Sequence, residues 1–89
     1  MREKLEYLLK NDMRALALRT REDMNLTQDK MSEILFMSKR SYADIESGAS
    51  ACGALTVILL LMYLPNPADF LLELKLEFDQ LIEAEKVLL

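Results

Sequence analysis

The sequence predicts an all-α fold of five helices, and three features of its composition favour that class. Hydrophobic residues make up 52% of the 89-residue chain, only two glycines and two prolines occur, and β-branched residues are scattered. Such a composition is typical of a compact helical protein and not of a disordered one. A chain of this length supports one hydrophobic core, so we expect no separate ligand-sensing domain within it.

Helix 1 is predicted from about Arg2 to Met24, because apolar residues recur along it at spacings near three to four. Asn25 follows, a residue type that tolerates the left-handed conformation in which many helices end. The polar pair Asn11-Asp12 marks the point where this helix is expected to break.

Helices 2 and 3 are predicted from the residues that cap them. Thr27 and Ser38 are N-cap candidates, because a hydroxyl oxygen accepts a hydrogen bond from a first-turn amide, and Gly48 ends helix 3. The side chains expected to face the core are Met31, Ile34, Leu35, Tyr42 and Ile45.

Helix 4 is predicted from Ala54 to Leu64, where Pro65 ends it. The uncharged run 51–64 is fourteen residues long, whereas a membrane-spanning helix needs about 20. We therefore interpret helix 4 as a buried core helix.

Helix 5 is predicted over residues 67–89, after Asn66 as cap, and has two apolar faces. The face expected to pack inward carries Phe70, Leu71, Leu74, Phe78, Leu81, Ile82 and Leu88. Leu72 and Leu76 project from the other side, and surplus apolar surface usually marks an interface. We expect a first unit over residues 1–66 and a dimerisation helix over 67–89, with Leu72, Leu76 and Phe78 as its contact residues.

Residues 27–48 have the layout of a helix-turn-helix. Lys39 and Arg40 lie in the first turn of helix 3, where the helix dipole disfavours cations. Insertion of this end of helix 3 into the major groove of DNA would explain the two cations, because Lys and Arg donate to guanine O6 and N7. Ser41 and Asp44 lie on the same face, and Asp44 is expected to accept from cytosine or to orient Arg40. The alternative interpretation is a group of solvated surface charges.

Three polar residues outside this face also carry hypotheses. Gln28 opens helix 2, where unpaired backbone N–H groups suit a phosphate oxygen; the alternative is an ordinary exposed first-turn residue. Arg21 and Glu46 lie among apolar positions, and a buried charge persists only when it is paired. We expect a salt bridge from helix 1 to helix 3, against the alternative of two unrelated surface charges.

Residues from about 17 to 64 carry a family pattern. The matching positions are Arg21-Glu22, Leu26-Thr27-Gln28, Met31-Ser32-Glu33, Leu35, Ser38, Ile45-Glu46 and Gly48, followed by the apolar helix to Leu64. In these positions the chain resembles the phage-repressor or XRE-type helix-turn-helix family, also called lambda-repressor-like. The resemblance implies phosphate contacts from Gln28 and Ser38, and base contacts from Lys39, Arg40 and Asp44. It also implies a homodimer on pseudo-palindromic double-stranded DNA, with Arg21 and Glu46 as a structural ion pair.

The chain departs from this family in two places. Phe36 stands in the turn where relatives usually have glycine, and a bulky residue in a left-handed conformation costs on the order of 1 kcal/mol. We expect its ring to offset that cost by packing. The loop 49–52 has no charge where relatives often place Lys or Arg on the DNA backbone, so low affinity per subunit is expected.

The charge distribution shapes the functional hypotheses. Residues 1–50 hold nine Lys/Arg and nine Asp/Glu, whereas residues 51–89 hold two and six, for a net charge of −4. General attraction to DNA should therefore be weak. The favoured hypothesis is a sequence-specific transcriptional regulator. It would be a homodimer in which residues 1–66 form the helix-turn-helix DNA-binding domain and residues 38–46 lie in the major groove. The alternative is a protein-interaction module of the same fold, antitoxin-like or antirepressor-like, with little or no DNA binding.

No enzymatic chemistry is expected. Histidine is absent, Cys52 has no basic partner nearby in sequence, and no glycine-rich phosphate loop occurs. The six methionines are interpreted as core residues and not as a metal site. We expect no metal, cofactor, small-molecule substrate or membrane partner. The lone cysteine and an N-terminus unlike a signal peptide favour a reducing cytoplasm.

Overall fold

The computed structural model describes residues 1–87, which form five α-helices and no strand. The helices are α1 (Arg2–Asp23), α2 (Gln28–Ile34), α3 (Lys39–Ser47), α4 (Ala54–Met62) and α5 (Pro67–Val87). The all-α class predicted from the sequence is confirmed. None of these helices combines the length and the apolar character that a membrane span requires.

The first helix is longer than expected because it does not break. α1 runs without interruption through Asn11 and Asp12, so the predicted break is wrong. Asn and Asp each cost less than about 0.7 kcal/mol in a helix interior. Packing of α1 against α3, α4 and α5 offsets a penalty of that size.

The hydrophobic core lies where α1 meets α2, α3 and α4. Its buried apolar residues are Met13, Leu16, Ala17, Met31, Leu35, Tyr42, Ile45 and Leu60. α4 contributes only Leu60 to this set and ends at Met62, before the expected Leu64. Leu55, Ile58 and Met62 are 66%, 56% and 73% exposed. α4 is therefore buried along one side only, so the interpretation as a buried core helix is wrong for the side that carries Leu55, Ile58 and Met62.

The last helix lies antiparallel along α1. Phe70 borders the same cavity as Arg19, and near the other end Lys4 Nζ lies 2.8 Å from Glu85 Oε2. From Pro67 to Val87 no residue is buried, because α5 packs mainly on α1 and one partner covers only one row of side chains. Leu71, expected to face inward, is 50% exposed. The expected position of Leu88 lies outside the described residues.

The predicted dimerisation residues of α5 divide between two environments. Leu72 and Leu76 are 56% and 52% exposed, on the side away from α1. Phe78 is half-buried and shares a cavity with Leu5 and Leu9 of α1. Phe78 therefore packs within the subunit, and only the two leucines remain as outward-facing residues of that set.

The turn between α2 and α3 contains the one positive-φ residue of this segment. Phe36 has φ 58°, yet its side chain is 82% exposed. The ring does not pack, so the expectation that packing offsets the strain is wrong. The turn itself requires the left-handed backbone, and the side chain is carried into solvent.

Candidate nucleic-acid interface

The first turn of α3 is organised by its cap. Ser38 Oγ accepts from the amide of Ser41 at 3.0 Å and donates its hydrogen to Ser41 Oγ at 2.8 Å. The amides of Lys39 and Arg40 have no intrahelical acceptor by helix geometry. The cap thus engages the Ser38 hydroxyl within the protein and leaves two backbone donors at the exposed end of the helix.

The two cations of this turn point into solvent. The side chain of Lys39 is 62% exposed and that of Arg40 is 89% exposed. Arg40 Nε lies 3.6 Å from Asp44 Oδ1, one turn along the same helix. Arg40 and Asp44 therefore lie within ion-pair distance on one face of α3.

A carboxylate that the sequence reasoning missed lies beside them. Asp29 Oδ2 of α2 is 3.5 Å from Lys39 Nζ, so the N-terminal ends of α2 and α3 are adjacent. An acidic residue in a first helical turn is favoured by the helix dipole, and in the sequence Asp29 therefore had an ordinary local explanation. Each cation of the α3 end has an acidic neighbour, and the local net charge is close to zero.

The opposite side of α3 is anchored in the core. Tyr42 and Ile45 are 0% and 4% exposed, and the Tyr42 hydroxyl donates to the carbonyl oxygen of Ala17 at 3.3 Å. Burial, followed by the nearby carboxylate of Glu46, raises the pKa of Tyr42, so its hydroxyl keeps its proton. This anchor fixes α3 on α1 and holds the exposed turn in one orientation.

A cluster of hydrogen bonds centred on Glu46 holds the C-terminal end of α3. Arg21 Nε donates to Glu46 Oε2 at 2.6 Å, and Arg21 Nη2 donates to Oε1 at 3.0 Å. Arg21 Nη1 donates to the carbonyl oxygen of Leu26 at 3.1 Å. This is the ion pair expected from the sequence, and it is bidentate, a geometry that strengthens a carboxylate–guanidinium contact.

The pKa of Glu46 reflects two opposing effects. Burial alone raises the pKa of Glu46, but the hydrogen bonds from Arg21 and Gln28, the nearby hydroxyl of Tyr42 and the charge of Arg21 outweigh it. The net pKa is lowered, so Glu46 is ionised at neutral pH. The cluster is thus a charged pair and not a shared proton.

Gln28 belongs to this cluster. Its Nε2 donates to Glu46 Oε1 at 3.1 Å, whereas the sequence suggested a donor aimed at phosphate. The amide nitrogen carries a second hydrogen, so a contact to DNA would be shared with this structural role. Gln28 links the start of α2 to the end of α3.

Arg14 is a further cluster residue that the sequence reasoning missed. Arg14 Nε donates to the carbonyl oxygen of Glu46 at 2.6 Å and so satisfies one of the last carbonyl groups of α3. A signal was present, because Arg14 and Arg21 are seven residues apart and share one face of α1. Two arginines of α1 therefore hold the same residue of α3.

The loop after α3 is uncharged over residues 49–52 and adds no cation to the exposed end.

Comparisons with protein-family models, with curated proteins and with solved structures found no match for this chain. Function is therefore inferred from the geometry of α3 and its anchors.

Proposed function

We propose that this chain is a sequence-specific DNA-binding regulator of the lambda-repressor-like helix-turn-helix type. The observation that carries the proposal is the contrast between the two ends of α3. Its first turn presents Lys39 and Arg40 to solvent, while Tyr42 and Glu46 behind it are held by the core and by Arg21. A rigid helix end with exposed Arg and Lys is suited to read guanine in the major groove.

In this proposal the side chains have different tasks. Arg40 donates to a base edge, and Asp44 holds its guanidinium in place until DNA binds. Lys39 exchanges its contact with Asp29 for one with a phosphate or a base, and the free amides at the start of α3 donate to a phosphate oxygen. Because the chain carries a net charge of −4, affinity would depend on two subunits binding adjacent half-sites, about 10 bp apart or a multiple of that.

The test is a selection of bound sites from random duplex DNA, followed by affinity measurements on Arg40→Ala. Arg2→Ala is a matched control, because Arg2 is 90% exposed and has the same i,i+4 pairing, to Glu6. We expect Arg40→Ala to cost about 1–3 kcal/mol, or roughly 5- to 150-fold, at one base position. Arg2→Ala should change affinity by less than about twofold. Equal effects of the two substitutions, or no selected site at all, would contradict the proposal.

One observation favours a second function, a protein-interaction module without DNA binding. Asp29 and Asp44 neutralise the cations of the α3 end, which weakens its attraction to a polyanion. A salt titration separates the two functions, since DNA affinity should fall with a log–log slope of about −0.9 per neutralised phosphate. Binding of a protein partner through apolar surface should change little over the same range.

A further inference from the structure

One side of α1 carries a row of residues spaced alternately four and three apart. We call this row the α1 stripe, and its members are Lys4, Leu8, Asn11, Ala15, Leu18 and Glu22. This spacing keeps side chains on one face of a helix. The row has a cation at one end, an anion at the other, and small or apolar residues between them.

The α1 stripe is an open surface. No member of the stripe is buried, and Leu18 is 37% exposed. Tyr7, which lies next to the stripe beside Leu8, is 67% exposed. A hollow of about 440 Å³ opens beside it, lined by Tyr7 and Leu8 together with Leu81 of α5. Exposed aromatic and leucine side chains around a hollow are the type of surface that binds another protein.

The whole molecule has the excess surface that such an interface would cover. The chain exposes 6190 Å², whereas a compact monomer of its 10.3 kDa mass exposes about 5400 Å². Its radius of gyration is 14.1 Å, against about 12 Å for a compact domain of this length. The excess of about 800 Å² equals the area that each partner buries in an interface of standard size.

We propose that the α1 stripe packs antiparallel against the α1 stripe of a second copy of this chain. Antiparallel pairing centred at residue 13 brings Lys4 opposite the partner's Glu22, and Leu8 opposite the partner's Leu18. Asn11 meets the partner's Ala15, so the two backbones approach closely at the crossing point. Each contact occurs twice, as a two-fold symmetric interface requires, and the partner's Leu18, which lies opposite Leu8, covers the hollow beside Leu8.

Charge and length favour this pairing over the other exposed apolar surfaces. α5 carries six acidic and two basic residues, so pairing α5 with a second α5 through Leu72 and Leu76 would bring like charges together. On α4 the exposed row from Leu55 to Met62 is only about 10 Å long. The α1 stripe is about 27 Å long, close to the width of an 800 Å² patch.

The second copy binds without DNA and supplies the second subunit that the proposed regulator needs. The molar mass of the full chain, measured by light scattering and sedimentation equilibrium without DNA, tests the inference separately from the DNA-affinity experiment. Wild type should be a dimer. Leu18→Glu should weaken the dimer by about a hundredfold, whereas Ile58→Glu, a matched control on α4 that is 56% exposed in the wild type, should leave it intact.

A charge exchange tests the register and does not rely on the apolar variants. Lys4→Glu and Glu22→Lys should each weaken self-association by about tenfold, and an equimolar mixture of the two should restore a dimer containing one of each. Lys4→Glu also removes the contact of Lys4 with Glu85 within its own subunit. That contact is still absent in the mixture, so its loss does not explain a recovery of the dimer. A monomeric wild type, dissociation by Ile58→Glu in place of Leu18→Glu, or no recovery in the mixture would overturn the inference.

Discussion

Neutralising Glu46 should destabilise the fold more than the loss of any surface ion pair. In Glu46→Gln, the group that accepts from Arg21 at 2.6 and 3.0 Å and from Gln28 at 3.1 Å loses its charge. The side chains of Arg21 and Glu46 are only 20% and 8% exposed, so solvent replaces little of what is lost. A hydrogen bond to a charged group contributes about 1.5–3 kcal/mol. The amide oxygen that Glu46→Gln introduces can still accept one of the hydrogen bonds that the carboxylate accepted.

We therefore expect Glu46→Gln to lower the free energy of unfolding by about 2–3 kcal/mol. For a domain of this size that corresponds to a fall in Tm of roughly 10–20 °C. The assay is urea unfolding followed by circular dichroism at 222 nm at pH 7. The matched control is Glu33→Gln, which removes an exposed contact to Lys30 in which both side chains are 65% exposed, and which should cost less than about 0.5 kcal/mol.

The pH dependence provides an independent check on the same cluster. Because the folded pKa of Glu46 is lowered, its stabilisation is present above the unfolded pKa of about 4.3 and is lost as the pH falls through the folded value. The difference in the free energy of unfolding between wild type and Glu46→Gln should therefore become smaller as the pH is lowered. If Glu46→Gln costs no more than Glu33→Gln at pH 7, the cluster does not anchor α3.

Two further predictions concern backbone strain and an acidic contact between α1 and α5. Phe36→Gly should raise the free energy of unfolding by about 0.5–1 kcal/mol, because Phe36 has φ 58° and an 82% exposed side chain; an unchanged or lower value in urea unfolding would contradict this. A hydrogen bond with the Asp12 carboxyl raises the pKa of Glu77, so its stabilisation is complete below the unfolded pKa and is lost as the pH rises through the folded one. Glu77→Gln should therefore melt at a higher temperature than wild type at pH 7 and at the same temperature near pH 4; equal melting temperatures at both pH values would contradict this.

Much of the site follows from local rules that a sequence displays. Thr27, Ser38 and Gly48 cap or end their helices as predicted, because capping depends on residues within one turn. Arg21 and Glu46 are 25 residues apart, and their pairing was expected because a buried charge without a partner is costly. Capping and the cost of an unpaired charge depend on the chemistry of single residues, which the sequence contains.

Other features depend on which helices become neighbours. Asn11 and Asp12 stay helical because α1 packs on three other helices, and that packing outweighs a weak local preference. Asp29 contacts Lys39 only because the α2–α3 turn brings two helix ends together. Such contacts join residues distant in sequence, and hydrophobic periodicity does not specify them.

The helical class, the helix caps and the outward position of Lys39 and Arg40 could be predicted from the sequence, since periodicity and capping act within a few residues. Three features depend on how the helices pack: Phe36 remains in solvent, Gln28 is hydrogen-bonded to Glu46, and α5 lies on α1 with none of its residues from 67 to 87 buried. The physical reason is that burial and pairing depend on the distances between helices, which the order of residues along one helix does not contain.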